Sequence, residues 1–225
     1  MFAQASFLNS GRAYSFDVPG SVRPTPELHG IITSNAARYM TFRPTGTETD
    51  PRDNQQLEHV FDVVSHGQNV EIFRALDEPS TRVAYWRLPV GLLQTFTDDR
   101  FSCGDDTDAT IKAIVADIVV RVNRIGLPVV QLNGRLRAGN PRNPVERESI
   151  MFHPADDKAG APLVSVWSEP SWSVVGGSRW DNDGWSARSA TNELNLTVEV
   201  QGPRDRADDL ERQARHMAAS ATPVG

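Results

Sequence analysis

The segment TDATIKAIVADIVVRVNRI, residues 107–125, places Ile111, Ile114, Val115, Ile118, Val119, Val122 and Ile125 at three- and four-residue steps. That spacing draws one apolar stripe along a helix, and such a stripe must cover something, here a sheet. Its many β-branched residues have low helix propensity, so packing has to hold the helix. Gly126 and Pro128 follow as stop signals. The expectation is one long amphipathic helix lying on a sheet.

Working outward, the flanks read as strands. Residues 129–132 and 135–137 bracket Asn133-Gly134, the strongest short hairpin signal in the chain because both positions tolerate positive φ. Residues 5–8 and 13–18 flank the turn formers Asn9-Ser10-Gly11-Arg12 and predict another hairpin. Residues 30–33 and 38–42 look extended, whereas 43–56, rich in Pro, Thr, Gly and Asp, reads as an exposed loop. Leu57, His59, Phe61 and Val63 alternate with period two, and 70–76 follows across Ser65-His66-Gly67-Gln68, which predicts a further hairpin. Residues 81–90 form a strand that stops near Pro89. Strands are expected at 149–153, 163–167 and 172–175, and Leu194, Leu196, Val198 and Val200 alternate with polar neighbours as on a strand with one wet face.

Residues 203–219 read as a second helix, with Pro203 in its first turn and a thin apolar face of Ala207, Leu210, Ala214 and Met217. The fold class is therefore α+β: a β-rich antiparallel sheet or sandwich, one long amphipathic helix packed on it, and a C-terminal helix. We expect a single β-rich domain over 1–202, with the helix and a short tail over 203–225.

At 225 residues, 39% hydrophobic and 23% charged, the chain is long enough to bury a core without staples. The single Cys103 excludes an intramolecular disulfide and reads as a buried thiol. The opening residues lack a basic leader with an apolar run, and no segment approaches the roughly 18 apolar residues of a membrane-spanning helix. The expected location is cytoplasmic, with no membrane partner. A net charge of −6 argues against general nucleic-acid binding, while Arg135, Arg137, Arg142 and Arg147 leave room for a local basic patch.

Four of the five tryptophans, Trp167, Trp172, Trp180 and Trp185, crowd one segment around Asp181-Asn182-Asp183-Gly184. One reading is a recognition loop in which Trp172, Trp180 and Trp185 offer flat faces to a sugar while Asp181, Asn182 and Asp183 bond its hydroxyls. The other is that strand tryptophans fill the core and the polar string is a tight turn. Asp98, Asp99, Asp105, Asp106 and Asp108 precede the 107–125 helix, where its dipole stabilises carboxylates, and their spacing matches no calcium or two-metal site. His29, His59, His66, His153 and His216 show no metal-ligand pairing, so no metal and no cofactor is expected. Gly176-Gly177-Ser178-Arg179-Trp180 begins like a nucleophile elbow and fails at its last position, and no phosphate-binding glycine loop occurs. Asn195-Leu196-Thr197 is a sequon on a strand and reads as incidental.

Three functions from different classes stay open. The first is a non-catalytic assembly or interaction protein, a subunit of a larger particle such as a virion or tail-like structure, whose partners are other protein subunits, of its own kind or another. The second is a carbohydrate-binding module using the tryptophan loop. The third is an enzyme without a recognisable motif, its site drawn from Asp105, Asp106, His66 or His153.

Overall fold

The structure is a computed structural model and describes residues 1–33, 37–47, 49–97, 107–133, 137–138, 148–156, 160–168, 179–182 and 184–225, with the backbone alone at 31–33, 37–38, 137–138 and 179–182. It is a β-rich α+β fold with, among the described residues, two α-helices, and the described ladders are antiparallel. The chain divides into two compact units, residues 1–29 with 145–225, and residues 30–144.

In the first unit, β1 (Phe2–Ser6), β2 (Ala13–Asp17) and β17 (Thr222–Pro223) form one small sheet in that order. A second sheet runs β14 (Arg179–Asn182), β15 (Trp185–Thr191), β16 (Thr197–Pro203), β13 (Leu163–Trp167), β12 (Glu148–Phe152). The expected hairpin is present as β1 and β2, with its first strand at 2–6 in place of 5–8. Buried Glu148 on β12 holds the connection by accepting the N–H groups of Asn9 and Ser10 at 2.8 and 2.9 Å. Helix α2 (Ala207–Ser220) buries Leu210, Ala214, Met217 and Ala218 against β15, β16 and β2. Its thin apolar face is thus covered by its own unit.

Strand β3 (Glu27–Thr33) carries the chain into the second unit, where β11 (Arg137–Ala138) pairs with it. There β4 (Ala37–Pro44), β8 (Gly91–Phe96), β7 (Arg82–Leu88), β6 (Gln68–Ala75) and β5 (Leu57–Ser65) lie side by side in that order. One face sets Phe42, Val70, Ile72, Ala84, Trp86 and Leu93 in a buried apolar layer, within which the buried Thr95 hydroxyl donates to the Tyr39 carbonyl at 3.0 Å. Helix α1 (Thr107–Asp117) lies along β7 and β5 with Ile111, Ile114 and Val115 buried. The turn between β5 and β6 is the two-residue kind, with His66 at φ 51° and Gly67 at φ 77°, the geometry that matches the strands' own twist.

The long helix expected over 107–125 is corrected by the structure: it stops at Asp117, and 118–122 continue as β9 (Ile118–Val122), which pairs with β10 (Pro128–Leu132). The cause is a set of donors from distant sequence. Ser65 Oγ donates to the Val115 carbonyl at 3.2 Å, His66 Nε2 bonds that of Ala116 at 2.9 Å, and the Asn133 N–H donates to that of Asp117 at 2.8 Å. These carbonyls, orphaned at any helix end, are thereby satisfied, and the β-branched run Ile118-Val119-Val120 is free to extend. Val122, counted in the apolar stripe, is half exposed on β9. Of the expected Asn133-Gly134 hairpin, residues 134–136 lie outside the described residues; its first strand, β10, pairs with β9, and Arg137–Ala138 pair with β3.

One turn occurs twice. Between β9 and β10, Asn123 Oδ1 accepts the N–H groups of Ile125 and Leu127 at 3.1 and 3.0 Å, with Gly126 at φ 82°. Between β15 and β16, Asn192 Oδ1 accepts those of Leu194 and Leu196, both at 3.0 Å, with Asn195 at φ 57°. In each, an Asn side chain replaces a missing backbone partner and the fourth residue turns through the left-handed region. Residues 123–126, read as a helix end, are thus a hairpin turn. Leu194, read as the start of a strand, belongs to the other.

Candidate functional site

The face of the β5–β6–β7 ladder away from α1 gathers several of the paired charges among the second unit's described residues. The β5–β6 register sets Asp62 opposite Glu71, and β6–β7 sets Glu71 opposite Tyr85. Phe73, Tyr85 and Leu92 form a buried apolar patch there, and burial pushes the Tyr85 phenol up. Beside it the Glu71 carboxylate, with its side chain only 4% exposed, accepts bonds from Arg52 and, at 2.5 Å, from Arg87. Arg87 also grips Asp50 through both terminal nitrogens at 3.0 and 2.8 Å. Asp50 and Arg52 come from the 43–56 loop, so this network ties the loop onto the sheet.

The Arg87 bonds, then the Arg52 backbone N–H, hold the Asp50 carboxyl below its ordinary value of 3.8. Next along the face, His59 Nε2 bonds Asp62 Oδ1 at 2.8 Å and Asn69 donates to Asp62 Oδ2 at 3.4 Å, with the His59 bond foremost in lowering the Asp62 carboxyl. Arg52, Asn69, Glu71 and Arg87 border a cleft of about 350 Å³. Its two arginines face two carboxylates, so the charge is balanced within the cluster. The arrangement suits a structural clamp. A depressed carboxyl contributes stability above its unfolded pKa and loses it as pH falls through the folded one. Stability should therefore decline as the pH drops below about 4, and Asp50→Asn should flatten that acid limb in denaturant titrations run at stepped pH.

Strand β5 ends the described sheet order, with β6 as its partner on one side. Val60 is 39% and Val64 77% exposed. A bulge at Val60 interrupts the ladder, leaving 61–65 as the longest regular stretch of this edge. Lys112 on α1 lies 4.5 Å over the Phe61 ring and pins the strand from behind.

Trp185 opens β15, where it pairs with Asn182, while Trp180 stands opposite Ala187 and Asp181 opposite Ser186. Asp181 and Asn182 of the Asp-Asn-Asp-Gly string lie on β14, and Gly184 precedes β15 at φ 84°. Trp185 is 43% exposed. Trp172 and Asp183 lie outside the described residues, as do the side chains of Trp180 and Asp181. So do Asp98, Asp99, Cys103, Asp105, Asp106, Arg135, Arg142 and Arg147, together with the side chain of Arg137. Asp108 pairs with Arg82 at 2.6 Å. His66 is spent on the end of α1, and His153 bonds Glu27 at 2.9 Å. Among the described residues no group of three or more His, Cys, Asp or Glu is placed to hold a metal ion, and no helix is long and apolar enough to cross a membrane.

The sequence reading missed the Asp50, Arg52, Glu71, Arg87 cluster, whose members come from a loop and two strands. The signal was faint: Glu71 breaks the apolar run of 70–73, and a carboxylate in a buried strand position calls for arginine partners. No family model and no curated protein matches this chain.

Proposed function

We propose that this chain is a non-catalytic assembly or interaction protein, a subunit held in a larger particle through strand β5. The observation that carries the reading is the edge itself: a nine-residue strand at the end of its sheet, with Val60 and Val64 open to solvent. An edge presents unpaired backbone donors and acceptors, and another strand added to it satisfies them. The bulge at Val60 confines regular addition to 61–65, which limits indiscriminate pairing. The neutral, internally paired cluster beside it supports a scaffold more than a catalyst.

The test is the mass of the chain in native extract. Wild type should migrate well above the monomer, and Val60→Lys with Val64→Lys should weaken that association about tenfold or more while leaving the melting transition in place. A second reading, carbohydrate binding, draws on the exposed Trp185 ring at its hairpin. A wild-type monomer in extract overturns the assembly reading, and glycan binding abolished by Trp185→Ala would put the second in its place.

A further inference from the structure

The turn between β15 and β16 stands beside a groove of about 620 Å³ in the first unit. Ala218, Ala219 and Ala221, where α2 ends, line it together with Leu194, Glu193 and Arg215. The turn is fixed at several points. Asn192 Oδ1 takes the two N–H groups named above, its Nδ2 donates to the Ala218 carbonyl at 2.8 Å, and Leu196 is fully buried. Leu194, 37% exposed, is therefore a rigid apolar knob next to an apolar hollow, and little ordering entropy is lost when such a group is covered.

A two-fold axis makes one surface meet itself, so every contact must have both of its halves on the same patch. This patch has them: a knob and a hollow, a carboxylate and a guanidinium. Arg215 Nη2 bonds Glu211 at 2.6 Å, a pair within one face of α2, yet the side chain is 71% exposed, and a guanidinium has further N–H groups to offer. We propose that this groove is a two-fold interface between copies of the chain, in which Leu194 of each enters the alanine-floored groove of the other and Glu193 of each faces the other's Arg215. The charge pairing singles out a second copy as the occupant, since Glu193 and the exposed Arg215 carry opposite signs on one patch and so complement each other across a two-fold axis. The proposal stands apart from strand β5, which belongs to the other unit.

Sedimentation equilibrium of the full chain from low to high micromolar concentration tests it. Wild type should show a monomer–dimer equilibrium. Leu194→Asp should raise the dissociation constant about thirtyfold or more. Glu193→Arg and Arg215→Glu should each weaken it about tenfold or more, because each reversal sets two like-charge contacts in the dimer. An equimolar mixture of those two variants should dimerise like wild type, since every contact then joins opposite charges, and this recovery also shows that both variants are folded. The Val60→Lys, Val64→Lys chain should keep this dimer, which separates the two interfaces. A wild type that stays monomeric, variants that associate like wild type, or a mixture that remains monomeric would each overturn the proposal.

Discussion

Gly91→Ala should destabilise the second unit by at least about 3 kcal/mol, a drop on the order of 10 °C in melting temperature for a chain of this size. Gly91 opens β8 directly after Pro89-Val90, pairs with Leu88 on β7 and Pro44 on β4, and has φ 151°. A Cβ there would run into the Arg43 carbonyl and come within 2.8 and 2.9 Å of the Phe42 ring. Phe42 is fully buried, so the ring has nowhere to retreat, and the alternative is to push β4 away from β8. Gly46, Gly67, Gly126 and Gly184 also have positive φ, but a Cβ at each meets open space. Gly46→Ala is the matched control and should cost only about 1 kcal/mol. Denaturant unfolding followed by tryptophan fluorescence would measure both, and equal losses would mean that close approach of β4 is not the reason for glycine at 91.

Glu71→Ala should cost about 2 to 3 kcal/mol. The variant removes the acceptor for two guanidiniums and leaves a void between Asn69 and Phe73. The cost stays below that of a fully buried pair because the Arg52 and Arg87 side chains, 64% and 44% exposed, can turn to water. Asp50 still holds Arg87, so the 43–56 loop should loosen rather than detach. Amide exchange would show faster labelling across 50–56 and 69–73. Glu71→Gln separates charge from shape: it retains the volume and one acceptor oxygen, and should recover part of the loss. A variant as stable as wild type would mean that the arginines gain nothing from Glu71 that water does not supply.

Much of the fold was legible where local signals decide. Ser65-His66-Gly67-Gln68 makes a turn because glycine and a short connection suffice, and Leu210, Ala214 and Met217 of α2 point inward as their spacing requires. The 107–125 segment misled because helix and strand periods overlap in a run such as Ile114-Val115-Ala116-Asp117-Ile118-Val119-Val120. What divides it is Ser65, His66 and Asn133, fifty residues upstream and sixteen downstream of the carbonyls they bond. Such long-range donors leave no trace in a local window. Of the tryptophan site, Trp185 keeps the exposure that a recognition surface needs, while the charged face of β5–β7 escaped notice because Asp50, Glu71 and Arg87 share no spacing.

The order in which the chain is made gives the division into 1–29 with 145–225, and 30–144, a further meaning. A ribosome completes residues 30–144 while the opening hairpin still lacks β12, β13, β15 and β16. The last piece to arrive for that hairpin is β17, whose Thr222 pairs with Ser15 on β2, just after α2 has brought Met217 and Ala218 into place. At typical elongation rates roughly 4 to 16 s separate the end of the inserted unit from that closure. Through this interval Phe7 and Phe16, both fully buried in the finished protein, have no permanent cover. The first unit therefore becomes a finished body only after synthesis has passed residue 223.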